Sequence, residues 1–134
     1  MEIKELIKVA IDNMAKAYTP YSHFNVSAVI VLKNGQLIKG VNVENASYGL
    51  SICAERVAMF NLVAAGIAKS EVQTLVVVGA TKGVISPCGA CRQVMSELLP
   101  AHTKVILANT NYEYREYKIS DLLPYSFDLF NDRQ

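Results

Sequence analysis

The three cysteines of the chain fall in two separate pieces, Cys53-Ala54-Glu55 and Pro87-Cys88-Gly89-Ala90-Cys91. If the thiols serve one purpose, the fold must bring both pieces to one point, and no other feature constrains the chain as tightly. Cys88 and Cys91 are three residues apart, so they share one face of a first helical turn. Cys53 and Glu55 are two apart and would diverge in mid-helix; they converge only if Cys53 stands at the start of its helix. Both pieces are therefore expected at helix N-termini, where free N–H groups and the positive dipole end favour thiolate over thiol. Three thiolates hold a zinc ion and leave its fourth tetrahedral position open for water. A glutamate beside the first thiolate is placed to move the protons of that water. The pattern is that of a metal-assisted hydrolytic enzyme.

The surrounding periodicities supply the helices and strands that such convergence needs. Ile3, Leu6, Ile7, Ala10, Ile11 and Met14 recur at helical spacing, which predicts an amphipathic helix through about residue 17, ended by Thr19-Pro20-Tyr21-Ser22. Residues 24–32 are rich in β-branched side chains and read as a strand. Asn34-Gly35 predicts a two-residue hairpin turn into a return strand over 36–43. A helix is expected from about Cys53 to Ala65, closed near Gly66. Residues 74–80 are nearly all apolar, as in a strand buried on both faces. Residues 82–86 read as a loop. Pro87 is expected in the first turn of the next helix, which Pro100 stops. Residues 104–108 and 112–119 read as strands, and Asp121 opens a short C-terminal element. The order αββαβαββ predicts an α/β fold: a three-layer αβα sandwich with a mixed, about five-stranded central sheet, spanning 1–134 as a single domain. The central helix carries Val57, Ala58, Met59, Phe60, Leu62, Val63, Ala64 and Ala65 with little polar face. A helix apolar all round is buried on every side, so part of its cover is expected from another subunit.

With 134 residues, 51% of them hydrophobic and 19% charged, the chain is long and apolar enough to bury a core. Its 13 basic and 12 acidic residues form no dense run, which argues against long nucleic acid as a partner. No apolar run reaches the ~18 residues of a membrane span. The N-terminus carries Glu2, Lys4 and Glu5 and lacks a signal-peptide apolar region. An odd cysteine count with a Cys-x-x-Cys pair fits a reducing compartment, so a cytoplasmic location is expected.

Other uses of the cysteines explain less. A redox pair leaves Cys53-Ala54-Glu55 without a purpose. A closed structural site needs a fourth ligand, and neither His23 nor His102 stands at ligand spacing from a cysteine. Three thiolates with zinc and hydroxide carry a formal charge of about −2. Arg56 is expected to hydrogen-bond a ligand thiolate and offset that charge, with Arg92 as a second candidate.

At these residues the chain resembles the zinc-dependent nucleoside deaminases, whose signature pairs a Cys or His ligand and a non-ligand glutamate with Pro-Cys-x-x-Cys. It is similar in particular to the small cytidine deaminases, through Tyr21-Ser22-His23-Phe24, Gly40-Val41-Asn42-Val43-Glu44-Asn45-Ala46, Cys53-Ala54-Glu55-Arg56, Ser86-Pro87-Cys88-Gly89-Ala90-Cys91-Arg92-Gln93 and Leu122-Leu123-Pro124. These blocks follow the family's order over almost the whole chain. The resemblance implies that Cys53, Cys88 and Cys91 hold one zinc ion per chain and that Glu55 carries protons during hydrolysis of cytidine or deoxycytidine. It implies that Asn42 and Glu44 grip the ribose hydroxyls of a nucleoside substrate and that Phe24 stacks on the pyrimidine. The C=O of Ala54 and the N–H of Cys88 would contact the base or the water. It further implies a homotetramer with shared active sites, in which Ala46 and Tyr48 reach a neighbour's pocket and Phe127 another's. Two departures stand out. Ser27 replaces a usual glycine on the strand behind Phe24 and is expected to alter pocket depth, and Val41 replaces a common cysteine. The tail after Phe127 leaves the usual pattern, which makes Phe130 a competing aromatic lid. A deaminase for another aminopyrimidine nucleoside and a zinc-stabilised binding module that turns nothing over are the alternative readings.

Overall fold

The structure, a computed structural model, describes residues 1–129 of the chain. Among these the expected alternation resolves into α1 (Ile3–Asn13), β1 (Val26–Leu32), β2 (Leu37–Val41), α2 (Ala54–Ala64), β3 (Val72–Gly79), α3 (Gly89–Leu98), β4 (Lys104–Asn109), β5 (Tyr114–Lys118) and α4 (Ile119–Leu122). The five strands form one mixed sheet in the order β2-β1-β3-β4-β5, with β3 and β4 parallel and the other neighbours antiparallel.

The three layers follow from strand periodicity. Every residue of β1 is buried, because successive side chains point into two different cores. Val29 and Val31 join Val76, Val78, Ile106 and Ala108 beneath Leu6, Ile7 and Ala10 of α1. Val26, Ala28, Ile30 and Leu32 face the opposite way, with Leu75, Val77, Val105 and Leu107, toward Ala58, Met59 and Leu62 of α2 and Met95 of α3. The same burial on both faces explains the nearly unbroken apolar run of β3.

Local chemistry sets the ends of the elements, and twice it differs from the sequence-based expectation. The hairpin is a three-residue loop over 33–35: Gly35 N–H donates to Leu32 O and Leu32 N–H to Gln36 O. Only Gly35 takes positive φ, at 89°; the Asn34 side chain instead accepts from Gln36 N–H. One left-handed glycine after a turn is the bulged alternative to the two-residue loop. Pro87 lies before the cap of α3 and outside its first turn, because Cys88 is the N-cap and its sulfur accepts from Cys91 N–H at 3.4 Å. At the other end of α2, Gly66 takes φ of 72°. Gly66 N–H bonds Val63 O and Ile67 N–H bonds Leu62 O, closing the helix as expected.

The central helix is not buried on every side in the single chain. Ala54, Glu55, Ala58, Met59 and Leu62 face inward, while Phe60 and Val63 remain 44% and 55% exposed.

The seat of α2 on the sheet depends on Gly40. A Cβ there would stand 2.4 Å from the Ala58 N and 2.6 Å from the Ala54 O, both backbone atoms of α2. Backbone cannot swing aside as a side chain can, so Gly40→Ala is expected to push α2 outward and lower stability by about 1–3 kcal/mol. Urea unfolding of the variant checks this; a midpoint equal to the parent's contradicts the contact.

Candidate metal centre and active site

Both cysteine pieces stand at helix starts, at the end of the sheet where β1 begins and β3 ends. Cys53 is the N-cap of α2, with extended backbone (φ −71°, ψ 153°), and Cys88 caps α3 in the same way. This geometry lets Cys53 and Glu55 converge despite their spacing. The three sulfurs lie within 4.8 Å of one another, and Cys53 Sγ to Cys88 Sγ is 3.8 Å. A tetrahedral zinc with bonds of about 2.3 Å has sulfur–sulfur edges of about 3.8 Å. The donor set therefore fits a zinc ion held by three thiolates.

The sulfurs strain against one another electrostatically. A hydrogen bond from the Cys91 thiol, then those from Arg56 and Cys88, hold Cys53 at about 5, against the opposing effect of burial. The same Cys91–Cys53 hydrogen bond, burial and the Glu55 charge push the Cys91 thiol up. The protein alone thus favours a thiolate at Cys53 and opposes one at Cys91, which a bound cation would favour. Arg56 Nη2 donates to Cys53 Sγ at 3.7 Å, as expected. Its Nε is buried without a hydrogen-bond partner among the described residues. Arg92 does not share this task. Its guanidinium donates to Pro87 O, Leu122 O and Ser86 Oγ at 2.8–3.0 Å. Every one of these acceptors is an oxygen, so Arg92 ties the segment before Cys88 to the end of α4.

Glu55 is 4% exposed. Burial pushes its carboxyl up from the ordinary carboxylate range, the Cys53 charge adds to this, and Arg56 opposes it. Its side of the metal centre opens into a cavity of about 440 Å³ lined by Phe24, Asn42, Cys53, Ala54, Glu55 and Cys88, with Val26, Thr81, Val84, Ile85 and Ser86. A second, wider cavity of about 660 Å³ adjoins it through Asn42, Cys53 and Cys88 and includes Glu44, Ala46, Tyr48 and Arg56. Phe24, Asn42, Ala54 and Glu55 thus line the cavity beside the sulfurs, and Glu44 and Arg56 the adjoining one; Ala46 and Tyr48, expected at a neighbour's pocket, line that second cavity in their own chain. Phe127 lines neither cavity; its backbone is pinned by both ends of the Gln93 amide. Phe130 lies outside the described residues.

Asn42 and Glu44 each carry a second duty that their spacing conceals. Asn42 accepts from Val26 N–H and donates to Phe24 O, fixing the entry to β1. One amide hydrogen and one lone pair have no partner among the described residues. Glu44 accepts from the N–H groups of Tyr21 and Ser22 and from the Ser22 hydroxyl. The hydroxyl bond, more than any other, holds the Glu44 carboxyl below its ordinary range. Ser27 does not shape the pocket. It sits on the α1 face of β1, where its hydroxyl accepts from the buried Asn13 amide at 3.0 Å; the pocket lies on the other face, because β1 alternates.

Sequence reasoning passes over Thr81, Val84 and Ile85, which line the same cavity as Phe24 and Asn42. The signal was two consecutive β-branched apolar residues inside a segment read as loop. Gly79 was also missed: a Cβ there would reach Ile85 Cδ1 at 2.6 Å and Phe24 Cζ at 3.4 Å.

Comparison with known proteins agrees with this geometry. The family model described as "cytidine and deoxycytidylate deaminase zinc-binding region" matches residues 1–108. A cytidine deaminase of Halalkalibacterium halodurans is 49% identical over 127 residues, covering 95% of each chain. One from Sporosarcina psychrophila is 38% identical over 127 residues, covering 95% of this chain and 92% of its own. The crystal structure of cytidine deaminase from Burkholderia pseudomallei superposes with a TM-score of 0.91 at 48% identity, over 95% of this chain and all of that one.

Removing zinc with a chelator should make the thiols reactive toward an aromatic disulfide reagent, and one equivalent of zinc per chain should protect them again. Arg56→Ala should release zinc at a lower chelator concentration. Equal thiol reactivity with and without zinc contradicts a three-thiolate metal centre.

Proposed function

The chain belongs to the cytidine and deoxycytidylate deaminase family, and from that premise we propose that it hydrolyses cytidine and 2'-deoxycytidine to uridine and 2'-deoxyuridine with release of ammonia, as one domain over residues 1–134. The observation that carries the reading is the sulfur triangle with a 3.8 Å edge beside a buried glutamate, in the lining of a largely apolar cavity.

In this reading Cys53, Cys88 and Cys91 would hold zinc, which when bound would lower the pKa of a water toward about 7. The pyrimidine enters the cavity against the Phe24 ring, with its amino-bearing C4 toward the sulfurs. Glu55 takes one proton from the water and gives it to N3 while the water oxygen bonds to C4. Glu55 then passes the remaining proton of that oxygen to the departing amino group, the C4–N bond breaks, and ammonia leaves. Ala54 and Cys88 line the same space, and in this reading the C=O of the first and the N–H of the second orient the base and the water. Asn42 offers its remaining amide hydrogen and Glu44 its carboxylate to the ribose hydroxyls. An unmatched pair of this kind disfavours a free base. The Ser22 bonds already hold Glu44 in place, so little side-chain freedom remains to be lost on binding. Arg56 donates to Cys53 and tempers the negative charge that three thiolates impose on the metal. The product places the enzyme in pyrimidine salvage, and three free thiols suit the cytoplasm. The near-balanced charge disfavours polynucleotide substrates.

We also propose a homotetramer with shared sites. The half-exposed Phe60 and Val63 on α2, together with Tyr48 and Leu50 (90% and 67% exposed), support it. So does Phe127, which is exposed and away from its own cavity, as a lid for another subunit would be.

Ultraviolet absorbance of cytidine with zinc-loaded protein should show conversion to uridine, and Glu55→Gln should lower turnover by about 10²–10⁴-fold with zinc retained. Turnover of a different aminopyrimidine nucleoside alone would redirect the substrate, and zinc binding without turnover of any would favour a binding module. Light scattering should give four times the chain mass, and charged residues at Phe60 and Val63 should lower it.

A further inference from the structure

We propose that Asn109 is a positioning residue that sets the wall of the substrate cavity, although its side chain lines no part of it. The inference rests on the deaminase reading above. Asn109 ends β4, paired with Gly79 at the end of β3, and is fully buried. Each polar atom of its side chain is in use. Oδ1 accepts from the N–H groups of Asn111 and Glu113 at 3.0 and 3.1 Å, which builds the turn between β4 and β5. Nδ2 donates to Glu113 Oε1 at 2.9 Å in that same turn. Its remaining hydrogen is shared between Lys82 O and Gly83 O, at 3.1 and 3.2 Å.

Those two carbonyls belong to the segment that leaves β3 and runs to Pro87-Cys88. Thr81, Val84, Ile85 and Ser86 of this segment are cavity wall, and Cys88 is a metal ligand. The segment contains no regular helix or strand of its own. Among the described residues it is held by Thr81 Oγ1 to Gly83 O at 2.7 Å, by Thr81 N–H to Gly79 O, and by Arg92 at Ser86 and Pro87. Arg92 secures the end beside the metal, and Asn109 secures the middle, next to Val84 and Ile85. Loosening the middle alone should therefore disturb substrate fit more than zinc binding or proton transfer.

The double variant Asn109→Asp/Glu113→Gln separates this role from turn building. The acceptor oxygens for Asn111 and Glu113 remain, and the bond between side chains 109 and 113 survives with donor and acceptor exchanged. The segment 81–86 loses its donor and meets a carboxylate instead. We expect parental zinc content and a lower melting temperature, since a buried carboxylate would face the Lys82 and Gly83 carbonyls. Backbone hydrogen exchange over 81–86 should be faster. KM for cytidine should rise about three- to tenfold, the size of one lost hydrogen bond, while kcat changes less than about twofold. Glu113→Gln alone is the control and should leave KM unchanged. If the double variant does not fold, Asn109→Ser keeps a hydroxyl for the turn amides but cannot reach the segment, and the same KM and exchange changes are expected. Parental exchange over 81–86 together with a parental KM overturns the proposal, as does a fall in kcat at constant KM. A parent that turns over no nucleoside defeats the deaminase reading; the exchange comparison then still decides whether Asn109 holds the segment.

Discussion

Three sulfurs that must sit within one coordination sphere dictate where two helices begin. Each metal ligand needs to leave the helix barrel toward a common point. Cys53 and Cys88 both do so, because an N-cap residue is extended rather than helical, and the Cys88 sulfur also accepts from Cys91 N–H. Two N-terminal dipole ends then face the same cluster and favour its negative charge. The sheet supports this convergence through Gly40, which lets the first turn of α2 lie directly on β2.

Around that centre, single side chains serve both the scaffold and the site. Asn42 fixes the start of β1 and still offers a hydrogen to the cavity. Glu44 organises the Tyr21-Ser22 turn and presents its carboxylate to the second cavity. Such sharing makes the site stiff without requiring extra elements, and it shortens the list of residues that the site has to itself. Arg56 and Arg92 divide what looked like one electrostatic task. The first bonds a sulfur, and the second bonds three oxygens around the approach to Cys88.

Much of the site was readable from spacing because its chemistry is local. A cysteine and a glutamate two residues apart make sense only at a helix start, and an i, i+3 cysteine pair makes sense only on one helical face. The misses share the opposite character. Asn34-Gly35 suggested the two-residue turn, but one left-handed residue sufficed once the strands had paired. Ser27 was placed near the pocket by its distance from Phe24 in sequence; strand alternation and the Asn13 amide put it on the other face. Thr81, Val84 and Ile85 carried no periodic signal, because their wall is held by a side chain on a strand that comes later in the chain.

The sequence by itself determined the three cysteines of the metal centre, the glutamate beside them, the order of helices and strands, and the burial of β3 on both faces. These follow from residue chemistry and from periods of 2 and 3.6, which act over a few positions. The tertiary structure alone decided which arginine reaches a sulfur, which face Ser27 takes, how closely α2 meets β2, and what holds the segment before Cys88. Those outcomes depend on contacts between residues far apart in the chain, whose distances are set only when all three layers pack together.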